Sequence, residues 1–182
     1  MKLFIAPHND DETLFGAFTL IRYKPLVLVV TDSYIQQNRG EHITASERRS
    51  ETYEAMKVAD CPVFFGGIRD DVIDEWQVEN LLSRFDNLDM VYFPAEVPNG
   101  NEHHNLISQV AKKLCLLKGW QYRQYMTYAK DQLYLVGTEE MFPTPEEREI
   151  KERMLNCYQS QLSLPATAPH FEAVKGKSEW FT

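Results

Sequence analysis

Short apolar runs alternate with stretches of helical spacing along this chain. Leu3–Ala6, Leu26–Thr31, Val63–Phe65 and Met90–Pro94 are close to continuously apolar, the pattern of strands buried on both faces. Between them Glu12–Tyr23, Ala45–Asp60 and Val72–Phe85 are each long enough for a helix. His104–Leu116 reads as the next helix, with Leu106, Ile107, Val110, Leu114 and Leu117 at helical spacing. After Gly119 the pattern changes. Tyr122–Ala129 and Gln132–Val136 read as two late strands, candidates for pairing with each other. Thr144 followed by Pro145, Glu146 and Glu147 predicts an N-cap, a first-turn proline and acidic first-turn residues, for a helix running to about Gln159. The tail from Leu164 to Thr182 holds two prolines and little periodicity. The alternation predicts an α/β fold, a Rossmann-like three-layer arrangement around a mostly parallel central sheet.

Composition narrows this picture. The 182 residues suit one domain, 1–182, with a sizeable core. A net charge of −8 argues against a broad surface for nucleic acid or anionic membrane, and leaves room for a local basic site. Cys61, Cys115 and Cys157 are far apart and odd in number, which predicts neither a disulfide framework nor a zinc knuckle but a reducing, cytoplasmic setting. The apolar run after Met1 is broken by His8 and Asp10, so no signal peptide is expected. No apolar run reaches the length of a membrane span.

The chemistry concentrates in Ala6–Phe15, where the first strand turns into the first helix. One imidazole, His8, stands with three carboxylates, Asp10, Asp11 and Glu12. Such a turn lies at the carboxyl edge of the sheet, where open α/β folds bind ligands. Asn9 or Asp10 could simply cap the helix and complement its dipole. The presence of His8 points instead to a metal. His8 and Asp11, three positions apart, can meet one ion, and a catalytic zinc keeps a position for water. Asp10 then faces that water and can act as general base.

Pro7-His8-Asn9-Asp10-Asp11-Glu12 resembles the Pro-His-Pro-Asp-Asp-Glu signature of the PIG-L/LmbE-like zinc-dependent de-N-acetylases, with Asn9 where proline is usual. Asn101-Glu102-His103-His104 resembles the family's second motif, His-x-Asp/Asn-His before a helix. The resemblance implies that His104 is the third metal ligand beside His8 and Asp11. It also exposes a departure: Asn101 stands where the family carries a histidine that polarises the substrate carbonyl, and His103 stands where Asp or Asn is usual. An amide can donate into an oxyanion hole but cannot serve as a general acid. His103 is therefore the candidate for that role, with an exposed loop histidine as the alternative.

Thr31-Asp32 ends the second strand at the same edge and is followed by a polar loop, 33–43, with Gln36, Gln37, Asn38, Arg39 and His42. Arg48, Glu51 and Ala55 match the family's Arg-x-x-Glu-x-x-x-Ala. By that resemblance Arg48, with Asp32, is a candidate substrate-binding residue, the alternative being a solvated helix face with weak ion pairs. Arg69-Asp70-Asp71 resembles the family's third strand end and is expected to shape the pocket. Met154–Gln161 resembles the family's late Tyr/His-x-Ser-Gln segment, and Glu172 with Gly176–Phe181 its terminal Glu-x-Phe strand. His170 is expected to be structural or exposed, and Cys157 to belong to the core.

The resemblance implies a metal-dependent hydrolase that removes acetyl from an N-acetylated amino sugar or sugar conjugate. Its cofactor would be Zn2+, with Fe2+ open because imidazole and carboxylate suit several divalent ions. Its partner would be a small-molecule glycoconjugate rather than nucleic acid or membrane, and a homo-oligomer stays open. Two other readings compete: a metal-dependent phosphoesterase using Arg48 and Arg49, and a catalytically weak α/β binding module that keeps the fold.

Overall fold

The computed structural model describes residues 1–32 and 43–182. Among these, seven strands form one sheet: β1 (Lys2–Ala6), β2 (Leu26–Thr31), β3 (Val63–Ile68), β4 (Met90–Pro94), β5 (Gln121–Tyr125), β6 (Glu139–Met141) and β7 (Glu179–Phe181). The helices are α1 (Asp11–Tyr23), α2 (Ala45–Ala59), α3 (Glu75–Leu82), α4 (Glu102–Lys118), α5 (Pro145–Leu155), α6 (Gln159–Leu162) and α7 (Ala168–Val174). The sheet order is β3-β2-β1-β4-β5-β7-β6. The first five strands are parallel, and β7 pairs antiparallel with β5 and β6.

β1 explains the three layers. Its side chains alternate across the sheet, as the pleat requires. Leu3 and Ile5 join a core with Val78, Leu81 and Leu82 of α3 and Ile107, Val110 and Leu114 of α4. Phe4 and Ala6 join the opposite core with Leu14 and Phe18 of α1, Met56 of α2, Met154 of α5 and Phe171 of α7. The Phe4 ring stacks on Tyr125 at 4.8 Å, and the Tyr125 hydroxyl donates to the Ile5 carbonyl at 2.8 Å. β1 and β4 are neighbours, yet α1 and α4 leave them for opposite faces. That divergence opens a crevice at their carboxyl ends, the switch point at which such sheets bind ligands.

Helix starts follow the sequence. Thr144 forms a capping box with Glu147 behind Pro145, as expected. Asp74 does the same with Gln77, which shortens the helix expected over 72–85 to α3. The late chain departs from expectation. β5 stops at Tyr125, and 132–136 forms no strand, because β7 takes the place beside β5: Met126 N–H donates to Trp180 O and Thr182 N–H to Gln124 O. The two late segments meet only locally, Ala129 bridging to Gln132 and also to Gly100. The helix expected to reach Gln159 ends at Leu155, and the chain bends so that the fully buried Tyr158 donates to Glu12. The tail contains α7 and β7 despite its weak periodicity. β7 is held from inside, where buried Glu179 accepts from Phe18 N–H and from Lys151 Nζ at 3.2 Å. Among the described residues no helix is long and apolar enough to cross a membrane.

Candidate metal centre and active-site cavity

Pro7 O accepts from both the backbone N–H and the hydroxyl of Thr31, pinning the end of β1 to β2. The next residues make the turn. Asp10 takes φ 115°, a conformation costly for any residue but glycine. Asp10, at the N-cap of α1, makes no side-chain capping bond. Asn9 donates to Thr52 Oγ1, and the Asp10 carboxylate turns away toward Arg48. The capping alternative therefore does not describe this turn. Glu12 supports it instead, accepting from Asp10 N–H, Thr13 Oγ1 and Tyr158 Oη. Burial pushes Glu12 up to about 7, against the pull of the Tyr158 hydrogen bond.

On the neighbouring strand end, Asn101 caps α4. Its Oδ1 accepts from His103 N–H at 2.8 Å and His104 N–H at 3.4 Å, which sets both histidines in the first turn. His8 Nδ1, Asp11 Oδ2 and His104 Nε2 then close a triangle with sides of 3.1, 3.0 and 3.2 Å. Among the described residues this is the one His/Asp/Glu/Cys group whose ligand atoms converge so closely. Ligands about 2.0–2.1 Å from a tetrahedral ion stand roughly 3.3 Å from one another, so the triangle has the right size. The charges agree with it. Asp11 is held well below the usual carboxylate range because His104 and His8 outweigh its burial, and His8 is raised despite burial by Asp11 and Asp10. A carboxylate kept ionised between two imidazoles is suited to a cation. His104 Nδ1, on the far side of its ring, is buried without a partner.

Asp10 borders the triangle. Burial pushes its carboxyl up to about 6, opposed by Arg48 and reinforced by Asp11. Arg48 is only 2% exposed, so it is not part of a solvated helix face. Its Nη2 donates to Asp10 Oδ2 at 2.9 Å and to Asn9 O, and its Nη1 lies 3.5 Å from Glu51 Oε2. Glu51 in turn accepts from Ser160 N–H at 2.7 Å and Ser160 Oγ at 2.6 Å. Arg48 thus ties the turn after β1 to the late chain.

His8, Asp10, Asp11 and Arg48 line a cavity of about 520 Å³ together with Asp70, Asn101, His103, Tyr128, Lys130, Gln161 and His170. His103 Nδ1 lies 2.9 Å from His8 Nε2, and burial with His8 and His104 nearby lowers His103 to about 4. Asp32 is not among the lining residues. It stands 4.0 Å from Arg49, raised by burial and by Asp70, and it is Asp70 from beyond β3 that reaches the cavity. Gln36, Gln37, Asn38, Arg39 and His42 lie outside the described residues. His170 departs from the sequence expectation: it lines the cavity, its ring 4.6 Å from that of Tyr128. Nothing local in the sequence marks His170 or Tyr128: one sits on α7, the other beyond β5, and only the fold brings their rings together.

The arrangement is that of an α/β protein whose switch point carries a His-Asp-His triangle able to hold a metal ion. The family model PIG-L, described as GlcNAc-PI de-N-acetylase, matches residues 3–115, more than half of the chain. The chain belongs to that family. No curated protein matches it in sequence. Among solved structures it resembles a triple mutant of a deacetylase of teicoplanin biosynthesis, at 17% identity and TM-score 0.77 over 99% of this chain and 96% of that one. The zinc-inhibited form of teicoplanin deacetylase matches at 16% identity and TM-score 0.73, over 99% and 97%. The hydratase GalB of Pseudomonas putida, acting on 4-carboxy-2-hydroxymuconate, matches at 12% identity and TM-score 0.71, over 100% and 95%. At such identities the likeness is one of fold, and the hydratase is a reminder that one fold hosts several reactions.

Proposed function

We propose that this chain is a metal-dependent N-deacetylase acting on an N-acetylated amino sugar or sugar conjugate. The observation that carries the reading is the His8–Asp11–His104 triangle, of which His8 and Asp11 line one cavity with the Asp10 carboxylate. Membership of the PIG-L family and the deacetylases among the solved relatives support the substrate class. A divalent ion held by His8, Asp11 and His104 would supply Lewis acidity and a water of lowered pKa.

The chain's own residues do the rest. Arg48 fixes Asp10, which takes a proton from the attacking water and later delivers it to the leaving amine. His103 and Asn101 form the wall opposite, His103 in hydrogen-bond range of His8 and Asn101 at the cap of α4. Gln161 and Lys130 add polar lining suited to hydroxyl groups of a sugar. Zinc is the first choice of ion. Because a relative has a zinc-inhibited form, Fe2+ and Co2+ belong in the same trial. The chain is read as one domain over 1–182.

The test is acetate release from a panel of N-acetyl sugars and glycoconjugates, with the protein loaded in turn with each ion and then treated with chelator. Chelator-sensitive acetate release is the expected result. Release of phosphate from sugar phosphates without any acetate would favour the phosphoesterase, and ligand binding without hydrolysis would favour the binding module.

A further inference from the structure

Asn101 occupies the place of the family's carbonyl-polarising histidine, and its amide oxygen and one amide N–H are already engaged. Oδ1 caps α4, and Nδ2 donates to Tyr128 Oη at 3.2 Å. That bond has a consequence for the phenol. With a lone pair occupied by Asn101, the hydroxyl's own proton is left to donate elsewhere, and among the described residues no acceptor meets it. Tyr128 lines the same cavity as His8, Asp10 and Asp11. Its ring is fixed edge-on to His104 at 5.4 Å and to His170 at 4.6 Å, with Phe15 at 6.0 Å. A donor held this firmly beside a metal triangle has the preorganisation that stabilises a developing oxyanion.

We propose that Tyr128 is a catalytic residue that donates a hydrogen bond to the substrate's acyl oxygen, and that Asn101 is the positioning residue that aims it. The proposal rests on the N-deacetylase reading. The water oxygen bonds to the acyl carbon while Asp10 takes one of its protons. The C=O π pair moves onto the acyl oxygen, where the Tyr128 O–H shares its proton without transferring it. When the pair returns, the C–N bond breaks and the nitrogen takes the proton from Asp10. The products are the free amine and acetic acid, which ionises to acetate.

The experiment compares metal-loaded wild type and Tyr128→Phe in three measurements: bound metal, kcat and KM on the best N-acetyl sugar, and calorimetric binding of methylphosphonate against acetate. Methylphosphonate mimics the tetrahedral adduct, and acetate is planar. Expected are unchanged metal, a kcat about 100-fold lower with KM within about threefold, and selectively weakened methylphosphonate. Unchanged kcat and methylphosphonate affinity would overturn the assignment. Loss of metal would overturn it too, by reducing Tyr128 to packing against His104. If wild type releases no acetate from any sugar yet Tyr128→Phe selectively loses methylphosphonate, the deacetylase reading falls and the donor assignment stands.

Discussion

Arg48 Nη2 lies 2.9 Å from Asp10 Oδ2, both groups withdrawn from bulk water. The pair joins α2 to the turn after β1 and leaves the second Asp10 oxygen for chemistry. Asp10→Asn keeps an oxygen for Arg48 to meet but removes the base. The variant is expected to bind metal as wild type does and to lose about 10²–10⁴-fold in kcat. Metal analysis with steady-state kinetics checks both halves, and full activity would remove Asp10 from the base role.

His103 and His104 are adjacent, yet only His104 Nε2 stands 3.0 Å from Asp11 Oδ2. His104→Ala is expected to lose stoichiometric metal, while His103→Ala keeps it. Elemental analysis of the two purified variants decides this. Stoichiometric metal in His104→Ala would dismiss the triangle.

Gly16 lies inside α1, where alanine gains about 1 kcal/mol in helix propensity. A Cβ there would overlap the Phe4 ring, which is fully buried and stacked on Tyr125 and so has no room to yield. Overpacking costs about 1–3 kcal/mol, so it outweighs the gain. Gly16→Ala is expected to lower the midpoint of urea unfolding, and a raised midpoint would contradict this packing.

Burial pushes the Cys61 and Cys115 thiols up to about 11. Their thiolates should therefore be scarce at neutral pH. Iodoacetamide labelling of both sites in the native protein, followed by mass spectrometry, is expected to rise about tenfold per pH unit past pH 9 and to level only near pH 11. The linked stability has a definite sign. A raised folded value contributes stability that is complete below the unfolded value of 9.0 and disappears as pH rises through 11. Cys115→Ala should flatten that alkaline loss, and labelling that levels near pH 9 would argue against the burial.

The first four strands and α1 were legible because their apolar runs are long relative to their ends. Leu3–Ala6 and Met90–Pro94 match β1 and β4 within a residue. The three metal-triangle residues were legible for a different reason: His8 and Asp11 are local, and His104 directly follows a recognisable helix start. For Arg48 the resemblance implies a substrate-binding role, with a solvated helix face as the alternative. Its commitment to Asp10 across 38 positions leaves no trace in local spacing.

Three-residue strands such as β6 and β7 carry too little periodicity to announce themselves. They form because Glu179 and Phe181 find partners across the fold. The same holds for the cavity wall. Tyr128 and His170 come from an irregular exit and a one-to-two-turn helix, and only their packing, 4.6 Å apart, assigns them to the site.

What the chain's order of residues determined is the layered α/β plan and the candidate metal-binding residues on two strand ends, since hydrophobic period and turn chemistry are local. What folding alone decided is which side chains face those residues. The divergence of α1 and α4 from adjacent strands opens the crevice, and contacts between segments remote in sequence fill its walls.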